Sequence, residues 1–156
     1  YTEYQARKRT LEEYAKEIGM KLVIGGTYDL RPFITAVAGD IDGRCAYCYR
    51  VRMEETAKYA AENGFDSFTT SLLISPYQNH DGIAAAAREM GERYGVAFLY
   101  RDFRPLFQEG QRFAREHGFY MQKYCGCIFS EEDRYMAAKR KKKRAGPCAS
   151  GGKEVY

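Results

Sequence analysis

Short apolar runs alternate with amphipathic segments of helical length along most of the chain, and this alternation limits the fold more than any other feature. The apolar runs predict strands at 21–24, 67–70 and 96–100. Helical spacing of apolar residues predicts helices at 3–18, 29–37, 48–62, 81–94, 106–117 and from Ser130 onwards. Strands that alternate with helices of this length predict crossover connections, and therefore an α/β fold whose parallel sheet is covered by helices on both faces.

Two loops that follow predicted strands carry many polar and aromatic side chains, at 71–79 and 100–105. Ligands of parallel sheets bind beyond the carboxyl ends of the strands, so these loops are candidate sites. In the second loop Asp102 lies between Arg101 and Arg104. Two guanidinium groups would hold this carboxylate ionised, as a metal ligand, an orienting acceptor or one half of a structural ion pair.

The two histidines are predicted to be surface residues rather than catalysts. An aspartate in a helix-capping position follows His80, and a helix-ending glycine follows His117. The aromatic residues give a different signal, because single-stranded RNA is recognised by base stacking on such rings together with backbone charge. Most of the rings are expected in the core, and those in candidate loops are Tyr77, Tyr100, Phe103 and Tyr124.

Length and charge define one globular domain and a basic tail. The 156 residues, 45% of them apolar, suffice for one core and exclude a disordered chain. The net charge is +4, but the basic run at 139–144 accounts for all of the excess. We therefore predict a domain at 1–135 and a disordered tail at 136–156.

The sequence shows no membrane span and no export signal, so a cytoplasmic protein is expected. The first residue is not Met, which suggests a native N-terminus further upstream.

Four of the five cysteines form two close pairs, Cys45 with Cys48 and Cys125 with Cys127, while Cys148 lies in the tail. An odd number and close spacing argue against a disulfide framework. A helix start at the first pair favours thiolates, and a bend at Gly126 would let the second pair face one point. Four thiolates match a zinc site or an iron–sulfur cluster. A redox pair in the first motif, or four unrelated cysteines, are the other interpretations.

Four sequence motifs, taken together in their order and spacing, form a combination too specific to be due to chance. They are RCAYCYRVR at 44–52, FTTSLLISPYQ at 68–78, FLYRDFRP at 98–105 and YMQKYCGC at 120–127. In these motifs the chain resembles the QueH family of cobalamin-independent epoxyqueuosine reductases. The resemblance covers nearly all of residues 1–135 and leaves the basic tail outside.

The resemblance implies a tRNA-modifying oxidoreductase that carries out the last step of queuosine synthesis, the reductive removal of an epoxide oxygen at the wobble base. It implies a Rossmann-like (HUP-type) fold, a [4Fe–4S] cluster with an adjacent iron ion, and no cobalamin. Its partners would be tRNA carrying epoxyqueuosine and an electron donor; neither the donor's identity nor the oligomeric state follows from the sequence, and no membrane is implied.

The family's functional residues map onto this sequence as follows. The cysteines of the metal centre would be Cys45, Cys48, Cys125 and Cys127, without a division between cluster and iron. Asp102 and Tyr77 would be catalytic. The residues that bind substrate or tRNA would be Gln78, Tyr100, Arg101, Arg104, Gln122, Lys123 and Tyr124.

One departure from the family pattern concerns the beginning of the chain. The family starts with a strand followed by adjacent cysteines, and residue 1 falls after that point. We therefore expect the first strand of the sheet and part of the metal site to be missing, which would leave this chain alone inactive. Two alternatives from other classes are a zinc-stabilised RNA-binding module and a thiol–disulfide oxidoreductase that uses Cys45 and Cys48. Neither explains the two middle strings.

Overall fold

The computed structural model describes residues 1–26 and 28–144 and has a mixed α/β fold. The helices and strands, in chain order, are α1 (Thr2–Glu17), α2 (Leu30–Val37), α3 (Arg44–Glu62), β1 (Ser67–Phe68), α4 (His80–Tyr94), β2 (Ala97–Phe98), α5 (Phe107–Glu116) and α6 (Ile128–Arg144). Two 3-10 turns, Ser71–Ile74 and Arg104–Leu106, precede α4 and α5. The predicted helices are thus all confirmed, with shifts of at most four residues at their ends.

The two strands form a parallel pair in which Ser67 is opposite Ala97 and Phe68 is opposite Phe98. Helix α4 makes the crossover between them, which confirms one strand–helix–strand unit and the parallel direction of the sheet. Both strands are shorter than predicted. After β1 the Thr70 side chain accepts a hydrogen bond from the Leu72 N–H and caps the 3-10 turn, so the chain leaves the sheet there.

The strand predicted at 21–24 is wrong, because these residues have no regular secondary structure. Val23 and Ile24 are 51% and 44% exposed. An apolar run becomes a strand only when another strand pairs with it, and none of the described strands does. The run therefore shows how composition alone overestimates the number of strands.

Contacts divide the chain into two compact units, and unit 2 comprises residues 24–117. Its core lies where α3 and α4 pack on the strands. Small and flexible side chains let the two helices approach closely, and the buried members are Met53, Ala57, Ala60, Phe68, Ala87, Met90 and Val96. Tyr49, Leu73 and Ile83 form a second buried cluster next to the first 3-10 turn. Each fully buried large side chain contributes about 1.5–3 kcal/mol to folding.

Unit 1 comprises residues 1–23 and the segment from Gly118 onwards. Its described part contains α1, the irregular segment 118–127 and α6. Ala15 is buried in this unit, and the rings of Tyr14 and Phe119 meet edge to face with centroids 4.8 Å apart. Two segments from opposite ends of the sequence therefore make one small core.

Helix α6 begins two residues before the predicted start at Ser130, and the Ser130 hydroxyl donates to the Cys127 carbonyl. The helix continues to Arg144, across the domain boundary predicted at residue 136. The rest of the predicted tail, residues 145–156 with Cys148, lies outside the described residues. Within the described part of the chain, no helix has the length and apolar character that a membrane span requires.

Candidate active site

The carboxyl ends of β1 and β2 point to one edge of the sheet, because the strands are parallel. The loops that leave these ends are the two in which the sequence predicts functional residues. A pocket of about 300 Å³ lies there, lined by Thr69, Thr70, Ser71, Ile74 and Phe103. Its volume is at the lower end of the range for pockets that bind small ligands. The structure thus gives this edge both a cavity and the polar loops around it.

The loop between the first 3-10 turn and α4 is attached to α3. The Asn79 N–H donates to the Tyr49 hydroxyl over 3.3 Å, and the Asn79 side chain caps α4 by accepting from the Gly82 N–H at 2.9 Å. Tyr77, in this loop, is 83% exposed, and its ring meets Phe107 edge to face at 5.7 Å. Gln78 beside it is half-buried. An exposed ring on a fixed loop is suited to contact with a bound base.

Asp102 and Arg104 form an ion pair in the loop after β2. The guanidinium of Arg104 contacts both carboxylate oxygens, with a shortest N–O distance of 2.6 Å, and the Arg104 N–H donates at 2.9 Å. These side-chain and backbone hydrogen bonds hold the pKa of Asp102 well below its usual range. Arg101 does not share in the pair and instead lies over the Phe103 ring, 5.8 Å from its centroid. Asp102 is therefore an ionised acceptor at neutral pH and not a proton donor.

His80 is buried, so its predicted place on the surface is wrong. Its exposed fraction is 7%, and Nε2 lies 3.0 Å from the Tyr100 hydroxyl. The sequence contains a signal for this, because His80 precedes the buried residues Ile83, Ala84 and Ala87 at helical spacing. His117 is exposed as predicted and stacks on Phe113.

The first cysteine pair lies in the first two turns of α3, since this helix begins at Arg44 rather than at Cys48. Cys45 and Cys48 are three residues apart and so lie on the same face of the helix. Cys45 is exposed and Cys48 is half-buried. Two thiols on one face near a helix N-terminus can act together on one ligand.

The second cysteine pair lies in unit 1, where Arg7 of α1 holds the CGC loop through its carbonyls. The Arg7 guanidinium donates to the Tyr124 carbonyl at 2.7 Å and to the Cys125 carbonyl at 3.0 Å. Gly126 has φ +104°, and a Cβ there would come within 2.9 Å of the same guanidinium. The loop thus needs glycine both for its backbone conformation and for the close approach of Arg7.

Two further contacts fix the ends of the CGC loop. Glu3 pairs with Arg7 at 2.8 Å and also accepts a hydrogen bond from the Tyr120 hydroxyl. On the other side, the Cys125 thiol donates to the Ser130 hydroxyl at 3.0 Å. The orientation of both cysteines therefore depends on residues of two helices, and the sequence motif alone does not reveal Glu3, Arg7 or Ser130.

Replacing Arg7 by alanine should destabilise the CGC loop. The variant loses two charge-assisted hydrogen bonds and the contact with Glu3, and we expect unfolding to become easier by about 1–2 kcal/mol. Arg9→Ala is the matched control, because Arg9 is exposed on the same helix; its effect should stay within about 0.5 kcal/mol. Urea unfolding followed by circular dichroism measures both. Equal stability of the two variants would show that Arg7 does not hold the loop.

The other residues predicted at this end of the chain differ in exposure. Gln122 and Lys123 are exposed, whereas Tyr124 is half-buried. Burial and the nearby carboxylates of Glu131 and Glu3 raise the pKa of Tyr124 to about 12, so its phenol stays neutral. Gln122 and Lys123 are therefore accessible for contact with a ligand, and Tyr124 is in part a packing residue.

The chemistry of the four cysteines fits an iron–sulfur centre, since thiolates are the usual ligands of such clusters. All four are thiols rather than disulfides. They lie as two pairs, one in each unit. Among the residues that the structure describes, no three His, Cys, Asp or Glu side chains are grouped closely enough to hold a metal ion. The types of donor atom thus fit such a centre.

Comparisons with known proteins identify the family. The family model described as epoxyqueuosine reductase QueH matches residues 1–133. Relatives that carry this name include a Thermotoga maritima protein, 36% identical over 83% of this chain and 72% of the relative. A Dehalococcoides mccartyi protein is 33% identical over 86% and 74%, and a Helicobacter pylori protein is 30% identical over 83% and 38%.

These matches make the chain an oxidoreductase. It belongs to the QueH family of epoxyqueuosine reductases, which confirms the assignment made from the four motifs. The matches support neither the zinc-stabilised RNA-binding module nor the thiol–disulfide oxidoreductase. All four cysteines and both sheet-edge loops lie within the matched residues.

Proposed function

We propose that this protein reduces epoxyqueuosine to queuosine at the wobble position of tRNA. The reaction breaks both carbon–oxygen bonds of the epoxide and forms a carbon–carbon double bond. It consumes two electrons and two protons, and the oxygen leaves as water. The family match over residues 1–133 carries this proposal, because it includes the two cysteine motifs and the two sheet-edge loops together.

Cys45, Cys48, Cys125 and Cys127 would hold the metal centre, a [4Fe–4S] cluster with an adjacent iron ion, without cobalamin. When bound, such a centre supplies electrons and a Lewis acid for the epoxide oxygen. The position of each pair supports this assignment, because Cys45 and Cys48 share one face of α3 and Cys125 and Cys127 flank a bend held by Arg7. The electrons come from a donor outside the chain.

The parallel strands β1 and β2 would be part of a Rossmann-like (HUP-type) sheet. Its support is the parallel crossover through α4 and the site at the carboxyl ends of the strands. The catalytic domain would occupy residues 1–135, and the basic residues after it would lie outside the catalytic unit.

The sheet-edge loops would bind the modified nucleoside and its tRNA. Tyr77 is exposed and suited to stack on a base, with Gln78 next to it. Asp102, held ionised by Arg104, would accept hydrogen bonds from hydroxyl groups of the substrate. Arg101 is exposed and available for a phosphate. In unit 1, Gln122 and Lys123 would contact the tRNA beside the CGC loop.

The direct test is metal analysis followed by turnover. The protein, expressed from its full open reading frame and purified without oxygen, is assayed for iron, zinc and acid-labile sulfide. We expect roughly four sulfides and four or five irons per chain. It is then incubated with epoxyqueuosine-containing tRNA and dithionite, and the nucleosides are identified by mass spectrometry. Queuosine should replace epoxyqueuosine. Zinc without sulfide, or intact epoxyqueuosine with a loaded cluster, would contradict the proposal.

A further inference from the structure

His80 and Tyr100 form a hydrogen-bonded pair at the sheet edge. The imidazole lies at the start of α4 and is buried, with Nε2 3.0 Å from the Tyr100 hydroxyl. The two rings meet edge to face, with centroids 5.6 Å apart. Tyr100 is 44% exposed and directly precedes Arg101 and Asp102. One member of the pair is thus inside the protein, and the other is partly exposed in the loop that carries Asp102.

The surroundings of His80 favour one neutral tautomer. Its Nδ1 is buried and has no hydrogen-bond partner among the described residues. A bare lone pair is tolerated at such a position better than an N–H, because buried donors without an acceptor are the rarer case. The proton then lies on Nε2, which donates to the Tyr100 oxygen and leaves the Tyr100 O–H free to donate elsewhere.

We infer that Tyr100 donates a proton to the epoxide oxygen and that His80 is the residue that positions it. This inference rests on the proposed function. In the step, the Tyr100 O–H bond breaks and a new O–H bond forms on the substrate oxygen. The resulting phenolate accepts the hydrogen bond from His80 Nε2–H and has the Arg88 guanidinium 5.4 Å from its ring centroid. Solvent returns the proton to Tyr100 and supplies the second one that water formation requires.

The neighbouring residues are less suitable as the proton donor. Asp102 is ionised and bound to Arg104 through both oxygens. Tyr77 is 83% exposed, and its described contact is a ring contact with Phe107 rather than a hydrogen bond at the hydroxyl. A general acid needs a fixed position relative to the group that it protonates. Tyr100 meets this requirement better than the other two side chains, because its hydroxyl is hydrogen-bonded to His80 and its side chain is partly exposed.

Two substitutions of His80 separate positioning from packing. His80→Gln keeps a nitrogen three bonds from Cβ, as Nε2 is, whereas the amide nitrogen in His80→Asn is only two bonds away. We expect His80→Asn to lower the single-turnover rate constant about 10- to 100-fold, Tyr100→Phe about 100-fold or more, and His80→Gln only a few-fold. The double variant His80→Asn/Tyr100→Phe should be no slower than Tyr100→Phe. His117→Asn, which changes the exposed histidine, is the control and should match the wild type.

A spectroscopic measurement tests the pair without turnover. With two histidines in the sequence, nitrogen-15 spectra of histidine-labelled protein resolve each imidazole. We expect the His80 pattern to show a proton on Nε2, and Tyr100→Phe to shift this nitrogen while His117 stays unchanged. A proton on Nδ1, or no shift in Tyr100→Phe, would overturn the inference.

The outcomes also separate this inference from the proposed function. If the wild type forms queuosine and His80→Asn does so at the same rate, His80 does not position the donor and the proposed function stands. If both His80 variants are equally slow, the role of Nε2 is overturned and His80 acts by packing alone. If the wild type with a loaded cluster forms no queuosine, the proposed function fails and the proton-donor role fails with it.

Discussion

Replacing Cys125 by alanine is expected to abolish queuosine formation while leaving the protein folded. Cys125 is exposed, and its side chain contacts the Ser130 hydroxyl rather than a hydrophobic core, so its removal leaves no cavity. The loss instead removes one thiolate from the proposed centre, and a cluster without its full set of ligands is neither retained nor reduced normally. Three measurements test this prediction. Iron and sulfide per chain report the loss of the cluster, product analysis reports the loss of queuosine, and the circular dichroism spectrum reports the intact fold.

Cys148→Ala is the matched control for this experiment. Cys148 follows the residues matched by the family, so its thiol should not contribute to the centre. This variant should keep the wild-type metal content and rate. Wild-type turnover by Cys125→Ala would remove Cys125 from the metal centre, and an equal loss in both variants would indicate general damage by thiol replacement.

Replacing Gly91 by alanine should destabilise unit 2 although alanine is the better helix former. A Cβ at Gly91 would lie 2.7 Å from the carbonyl oxygen of Val96, and this oxygen belongs to backbone that leads into β2. Gly91 is itself buried, and its carbonyl accepts a hydrogen bond from the Val96 N–H at 3.0 Å. The clash should cost about 1–3 kcal/mol, against a gain of about 1 kcal/mol in helix propensity.

Gly110→Ala isolates the propensity gain, because Gly110 also lies inside a helix. The nearest atom to a Cβ there is Ile74 Cδ1 at 3.6 Å, an ordinary contact. This variant should be neutral or up to about 1 kcal/mol more stable than the wild type, so the two glycine variants should differ by the cost of the clash, about 1–3 kcal/mol. Urea unfolding measures the difference. Equal stabilities would show that α4 and β2 can separate without cost.

The helices were predictable because each carries its own periodicity and end signals. Helix α4 illustrates this with its alanine-rich periodicity and with Gly95, which is left-handed at its end, whereas its N-cap is Asn79 and not the expected Asp81. Strands depend on partners that are distant in sequence. The run at 67–70 has such a partner in β2, whereas the run at 21–24 pairs with none of the described strands. The strand lengths were overestimated for a related reason, since Thr70 prefers a local hydrogen bond to the sheet ladder.

The residues of the candidate site could be predicted where they belong to a sequence motif. They could not be predicted where their role depends on a contact in the folded protein. The cysteines and the Asp102 loop stand out in the sequence, but the choice of Arg104 over Arg101 as the ion-pair partner follows only from the geometry. Arg7 is invisible to motif reading, because it acts on backbone carbonyls that lie 117 and 118 residues further along the chain. The burial of His80 was not predicted, because the capping position assigned to Asp81 suggested that the neighbouring histidine lies on the surface.

The arrangement of unit 1 sets an order of events during synthesis. Arg7 is synthesised before its acceptors on Tyr124 and Cys125, which follow 117 and 118 residues later. At typical translation rates this delay is roughly ten seconds, during which α1 has no CGC loop to hold. Arg7 can therefore hold the bend at Gly126 only after residues 124 and 125 have been synthesised. The conformation that presents Cys125 and Cys127 is accordingly stabilised by Arg7 only at a late stage of synthesis.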